Sequence, residues 1–435
     1  MPPRPTTATA LAALLATLLA GGGTAAAAAP PPERAVTSVS PQVQVASVRV
    51  AAARSSARAG LGSRISSALA GSTARTVSVA VDVDGLGGVL RRDAAHALPP
   101  ASTQKSWVVS TALLALGGDS RQRTEVAATA TATAGVLPGS LWLVAGGDPY
   151  LTTSGLSALA RSVREAGVTM VDGDLRLDDS RYDMLRRNPG WKSRWVPNEF
   201  GPLSAFAVDR NRGRRDAVYL SDPALPNAVR FRDLLRAEGV VVRGTVRRDL
   251  RPAAALTVAQ RESATLAANS ARLLKASDNF AAELLLKEVG RVVRGTGSSR
   301  AGLAGVAEVL GEQGVRVGRG ADGSGLSSVD RQTTAGQVAM LRAVGASAAG
   351  PGLRAALPVA CVDGTLWRRM CRTAAAGNVR AKTGTLSGVT ALAGYATTRS
   401  GRPARFAIQL SGVRDAARAR AAIDRAVVVL AASTD

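Results

Sequence analysis

The spacing of apolar and polar positions changes character several times along the chain. Val77, Val79, Val81 and Val83 occupy every second residue of "RTVSVAVDVDG". That period predicts a half-buried strand over 75–85, ending in a turn. From Ser102 to about Leu116 the apolar positions take helical spacing, and "GGD" stops them. Between roughly 120 and 255, short strand-like runs ("SLWLVAGGD", "VDGDLRLDD", "AVYLSDP", "VVVRGTVRRDL") alternate with turns and with one helix near 155–166. This texture predicts an inserted α+β region with its own small core. Helical patterns return in "SARLLKASDNFAAELLLKEVG" and "AGLAGVAEVLGEQG". The end reads strand, strand, helix in "RAKTGTLSGVTALAGYATT", "RPARFAIQLSG" and "RDAARARAAIDRAVVVLAA", with the two strands close enough to pair antiparallel. No internal repeat interrupts this order.

The amino terminus bears on compartment. After Arg4, the apolar run "ATALAALLATLLA" (8–20) leads into small-x-small sites in "GGGTAAAAAP". Residues 1–29 read as a secretory signal, with a core too short to span a bilayer. Residues 30–60, rich in Pro, Ala, Ser and Arg without clear periodicity, read as a linker or a loosely attached arm. No later stretch is long and apolar enough to cross a membrane. The expected location is extracellular or at the cell envelope, with the signal removed.

Composition adds two points. The 435 residues are 46% apolar, enough for two or three domains with a sizeable core. The formal net charge of +23 gives nonspecific attraction to polyanions such as acidic cell-wall polymers. Aromatics are not interleaved with the basic residues, which argues against a nucleic-acid groove. Cys361 and Cys371 would form a disulfide across a short loop in an oxidising compartment, or remain two buried thiols. One histidine and two cysteines leave no His/Cys metal site, and no cofactor is expected.

Lysine is rare here: the chain has five, against a large excess of arginine. Lys105 follows Ser102 by three residues at a helix start, so amine and hydroxyl share a face. A serine needs a base to become a nucleophile, and a buried lysine of lowered pKa can be that base. Arginine stays protonated and cannot. A helix N-terminus also turns N–H groups toward a developing oxyanion. Alone, S-x-x-K is a weak signal. It is followed by Ser277, Asp278 and Asn279 in "KASDNF", and by Lys382, Thr383 and Gly384 in "RAKTGTLSG". The trio S-x-x-K, S-D-N and K-T-G marks class A β-lactamases and penicillin-binding proteins.

From about residue 75 to the end the chain resembles the low-molecular-mass class C penicillin-binding proteins, the D-alanyl-D-alanine carboxypeptidase/endopeptidase family. The resemblance includes "LPPASTQK", "GGDPYL", "VDGDLRLDDSRYD", "ADGSGLSSVDR" and "ALPVACVDGTLWRR", and the separation of Ser102 and Ser277 by 175 residues. It implies an α+β fold: a β-lactamase/transpeptidase-like core, an antiparallel sheet flanked by helices with an α-helical lobe. The catalytic domain would comprise 61–136 and 259–435, with a mixed α/β domain inserted at 137–258. It implies Ser102 as acylated nucleophile and Lys105 as its base. Ser277 would relay a proton to the leaving group and Asn279 would hold the substrate amide. Lys382 and Thr383 would bind the terminal carboxylate, next to Gly384, and the N–H groups of Ser102 and Thr385 would form the oxyanion hole. In the family an acidic residue of the inserted domain faces the substrate's diamino acid; Asp178, with Tyr182 nearby, loosely fits that stretch. Many members carry Arg after D-G-S-G-L-S, where this chain has Ser328. The implied substrate is the peptidoglycan stem peptide, with penicillin as inhibitor.

Three rival readings compete with this one. A serine β-lactamase shares the trio, but none of Glu283, Glu288, Glu308 and Glu312 sits in the E-x-x-L-N context of a deacylating glutamate. A Ser-His-Asp hydrolase would need His96, and no G-x-S-x-G elbow is present. A non-catalytic cell-wall-binding protein would not require Ser102 and Lys105 to be intact. "GRGADG" (318–323) opens no helix and reads as a turn rather than a dinucleotide site.

Overall fold

The computed structural model describes residues 41–212 and 215–434. The expected signal (1–29) and the first part of the expected linker lie outside them. The linker expectation fails from residue 41 on: Pro41–Leu69 is one helix. Residues 52–60 of it are largely exposed, so no apolar stripe marks them. Leu61, Ile65 and Leu69, at helical spacing, are buried against the sheet.

The central sheet has five antiparallel strands in the order Arg380–Leu386, Val389–Thr397, Pro403–Ser411, Thr76–Val83, Gly87–Arg92. One face carries Leu61, Ile65 and Leu69 together with Ile423, Val427 and Leu430 of the last helix, Ala416–Ala431. Thr334–Ala346 packs on the other face. Thr76–Val83 is therefore buried on both faces, not half-buried. Its "polar" side is satisfied internally: Ser78 Oγ shares a hydrogen bond with Thr334 Oγ1 at 2.9 Å, and Asp82 pairs with Arg91 and Arg342. "RAKTGTLSGVTALAGYATT", expected as one strand, folds as a hairpin. Gly388 takes left-handed backbone (φ 73°) at the two-residue turn, a conformation that glycine adopts at no steric cost.

The helical lobe buries Trp107, Val108, Leu273, Leu274, Leu286 and Leu341 in one cluster. Its helices Leu266–Ala276 and Asn279–Arg294 meet at Ser277. The inserted body is mixed, as expected. Its larger sheet runs Leu256–Glu262, Arg123–Ala128, Leu141–Val144, Leu175–Asp178, Val246–Arg248, antiparallel at first and then parallel. This sheet begins before residue 137 and ends after 258, because the entering and leaving strands pair with each other. A second, parallel sheet joins Val136–Leu137, Met170–Val171 and Val241–Val242. "AVYLSDP" is not a strand: Asp216 caps the N–H of Tyr219 and starts the short helix Ala217–Ser221. Helix Ala224–Ala237, hidden in the sequence by Pro226 in its first turn, buries Phe231 and Leu235.

Candidate active site

Ser102 lies in a 3₁₀ turn, Ala101–Thr103, that runs into helix Gln104–Leu116. Ala101 holds left-handed backbone (φ 48°), a strained state for a residue with a Cβ. Ser102 is half-buried, and Lys105 beneath it is fully buried. Lys105 Nζ lies 3.0 Å from Ser102 Oγ. It also donates to Asn279 Oδ1 at 2.7 Å and to the carbonyl of Ser324.

The opposite wall comes from a broken helix. Ser277 ends Leu266–Ala276 in left-handed backbone (φ 55°, ψ 43°). Asp278 then accepts the N–H of Ala281 and caps Asn279–Arg294, and Arg210 of the inserted body pairs with it. The aspartate of S-D-N is thus occupied in holding the break. Lys382, also fully buried, donates to Ser277 Oγ at 3.0 Å and to the Thr383 carbonyl at 2.9 Å.

The third wall is the strand Arg380–Leu386, at the sheet's edge. Ala381 N–H reaches outward to the Pro358 carbonyl at 2.9 Å. With a two-residue period, Thr383 and Thr385 turn their N–H groups to the same outer side. A Cβ on Gly384 would lie 2.7 Å from the Pro100 carbonyl oxygen and 3.2 Å from Ala101 Cβ. Glycine there lets the strand approach the Ser102 turn.

Burial lowers Lys105 from the ordinary lysine value to about 8, and nearby Asp322, Asp278, Glu283 and Asp330 pull back the other way. Lys382 is lowered well below its usual value, first by burial and then by the positive charge of Lys105. Below the two lysines lies a buried acidic group. Glu283 is raised to about 7 and Asp330 to about 8, each by burial first and then by Asp322. Asp322 accepts N–H groups of Ser324, Gly325 and Ser327 and the indole of Trp191. Glu283 accepts from Asn188, Ser299 and the Gly323 N–H. This network shapes the loop that offers the Ser324 carbonyl to Lys105.

Residues 64–216 and 212–433 match the model of the D-Ala-D-Ala carboxypeptidase 3 (S13) family. The chain belongs to that family. A D-alanyl-D-alanine carboxypeptidase of Actinomadura sp. (strain R39) is 31% identical over 402 residues, spanning 73% of this chain and 75% of that protein. Carboxypeptidase DacB of Mycolicibacterium smegmatis is 29% identical over 374 residues, spanning 81% and 80%. Penicillin binding protein 4 (dacB) of Haemophilus influenzae shares the fold, with a TM-score of 0.74 at 23% identity over 84% of this chain and 98% of that one. The protein is a serine-type D-alanyl-D-alanine carboxypeptidase of the low-molecular-mass class C group of penicillin-binding proteins.

The fold thus brings Ser102, Lys105, Ser277, Asn279, Lys382, Thr383 and Gly384 to one cleft. It ties Asp178 and Tyr182 elsewhere. Asp178 accepts from Ser180 and from the Arg251 N–H, and buried Tyr182 donates to Glu288 at 3.0 Å. None of these bonds reaches the Ser102 cluster. Cys361 and Cys371 form a disulfide. His96 is exposed on a loop, and "GRGADG" is loop, as read. The sequence reading missed Ser324, Asp322, Glu283, Asp330 and Thr365 as parts of the site. "ADGSGLSSVDR" contained three of them, but as a resemblance without a mechanism.

Proposed function

We propose that the carboxypeptidase works through an acyl-enzyme on Ser102. The observation that carries this is the surroundings of Lys105 Nζ. A neutral amine has two N–H bonds and one lone pair. Asn279 and the Ser324 carbonyl take the two hydrogens, which leaves the lone pair facing Ser102 Oγ. Ser102 Oγ attacks the penultimate D-Ala carbonyl and its proton passes to Lys105. The N–H groups of Ser102 and Thr385 receive the oxyanion. Ser277, held by Lys382, relays a proton to the departing nitrogen of terminal D-Ala and is restored with the one that Lys105 received, while Lys382 and Thr383 bind the carboxylate. Water then cleaves the ester and restores Ser102.

Penicillin would follow the same path to the ester, but its amine stays tethered. Glu283 is buried and its oxygens are engaged, so it is not placed to activate water; slow turnover and inhibition follow. This disfavours the β-lactamase reading. The Haemophilus protein has been crystallised with a β-lactam. Within this proposal the protein is exported under a signal at 1–29 and acts on peptidoglycan stem peptides, and cross-link cleavage would use the same chemistry. Among the described residues no helix is long and apolar enough to cross a membrane.

Fluorescent penicillin should label the wild type and not Ser102→Ala. Equal labelling of both would end the acyl-enzyme reading. Release of D-Ala from monomeric muropeptides, compared with cleavage of cross-linked ones, measures the two activities.

A pH profile tests the base. With Lys105 at about 8, the acylation rate should rise close to ten-fold from about pH 6 to 7 and level off above about pH 8.5. A rate flat from pH 6 to 9 would remove Lys105 from that role. The sign for stability follows from the same shift. The native state releases this proton before the unfolded chain does. The group's penalty is therefore full below pH 8 and fades as pH rises through the interval up to the ordinary lysine value.

A further inference from the structure

The segment "CVDGTLWRRMC", from Cys361 to Cys371, is closed into a ring by the disulfide. It lies outside the three motifs, yet it touches one of them and the helix end that leads into a second. Thr365 Oγ1 accepts the hydroxyl proton of Thr383 at 2.9 Å. Asp363 pairs with Lys275 at 2.7 Å, two residues before Ser277, and also accepts the Val359 N–H. Gly364 takes left-handed backbone (φ 55°) and packs so close to Lys275 that a Cβ would lie 3.0 Å from its carbonyl oxygen. Cys361, Met370 and Arg372 are left-handed as well. Such conformations persist only where the surroundings hold them. The disulfide is the one covalent tie in this ring.

We propose that the ring positions the carboxylate subsite: Thr365 sets the direction of the Thr383 hydroxyl, and the Cys361–Cys371 bond keeps Thr365 in place. This rests on the reading that Thr383 receives the substrate carboxylate. In the free enzyme the Thr383 proton points at Thr365. An arriving carboxylate takes that hydrogen bond, and Thr365 then donates its own proton to Thr383 Oγ1. Both protons stay on their oxygens. Thr365 is a positioning residue, acting through Thr383. The ring's second tie, Asp363 to Lys275, couples it to the wall that carries Ser277.

Cys371 is exposed, so a dithiol can reach the bond. Dithiothreitol would supply two electrons and two protons, giving two cysteine thiols and its own cyclic disulfide. Loss of the tie would slacken the ring without removing any motif residue.

The test uses the full chain, a peptide ending in D-Ala-D-Ala, and fluorescent penicillin. Thr365→Val should lower kcat/KM about ten-fold, mainly through KM, and Thr365→Ser should restore it to within about two-fold. Dithiothreitol should slow the wild type roughly three- to ten-fold, reversibly on reoxidation. It should not affect a Cys361→Ser/Cys371→Ser double variant, which starts slow. Wild-type kinetics in Thr365→Val would overturn the positioning role. Undiminished activity after thiol titration shows the bond reduced would overturn the part given to the disulfide. A wild type that penicillin does not label would instead sink the Ser102 reading beneath both.

Discussion

Lys105→Arg is expected to slow acylation of Ser102 by roughly a thousand-fold, the range lost with a general base. Arginine keeps its proton at any pH at which the protein is folded. It would offer Ser102 a donor where the reaction needs an acceptor. The site also has no room to spare, since Lys105 is fully buried and three oxygens already surround its amine. A second variant separates chemistry from packing. Lys105→Met preserves length and apolar bulk and removes the amine. Both variants should lose fluorescent penicillin labelling, and the methionine variant should keep the wild-type circular dichroism and melting temperature within a few degrees. Substantial labelling of a folded Lys105→Met protein would show that another group takes the serine proton.

Gly325→Ala should have the largest effect on stability. Gly325 takes φ 77° in the loop below Ser102, and a Cβ there would overlap the Ala101 carbonyl. Left-handed backbone alone costs an alanine about 1–2 kcal/mol. The overlap adds to this, because it is with backbone rather than with a flexible side chain. The loop must withdraw, and it carries two things with it: the Gly325 N–H held by Asp322, and the Ser324 carbonyl held to Lys105. A total loss on the order of 3 kcal/mol or more is expected. It should appear as a fall in melting temperature of roughly 4 °C or more, with slower penicillin labelling of the protein that remains folded. A melting temperature within about one degree of wild type would mean that the loop yields easily, and that the close approach of Gly325 to the Ser102 turn matters little.

The residues legible in the sequence are those whose spacing is itself the mechanism. Ser102 and Lys105 face each other because i and i+3 share a helix face. Lys382, Thr383 and Gly384 follow one another along the sheet's edge strand. The half of the site that stayed hidden depends on groups without a signature. The Ser324 contribution is a backbone carbonyl, which any residue could provide. Asp322, Glu283 and Asp330 look like surface acids in the sequence and are buried in the fold. Thr365 lies in a stretch that supplied a resemblance but no chemistry. The errors of fold have the same origin. In Thr76–Val83 the alternation of valine with Ser78 and Asp82 suggested one wet face, but Thr334, Arg91 and Arg342 satisfy those groups inside the protein. The helix from Pro41 has a largely exposed stretch over 52–60, so no period could announce it. Asp178 and Tyr182 were placed by resemblance alone, and their hydrogen bonds are to Arg251 and Glu288 rather than to the Ser102 cluster.

The hydrogen bonds that join the three walls have a consequence for how the site comes into being. Lys105 to Asn279 closes a loop of 174 residues, Lys105 to Ser324 one of 219, and Lys382 to Ser277 one of 105. The Ser102–Lys105 contact, by contrast, is local. Closing long loops costs chain entropy before any contact repays it. No fragment of the chain holds a working half of the cleft, because each lysine meets a partner from a distant stretch. On the proposed mechanism, reactivity is a property of the finished chain: a chain still folding carries the serine and the lysine side by side, but not the surroundings that would turn them into a nucleophile and its base.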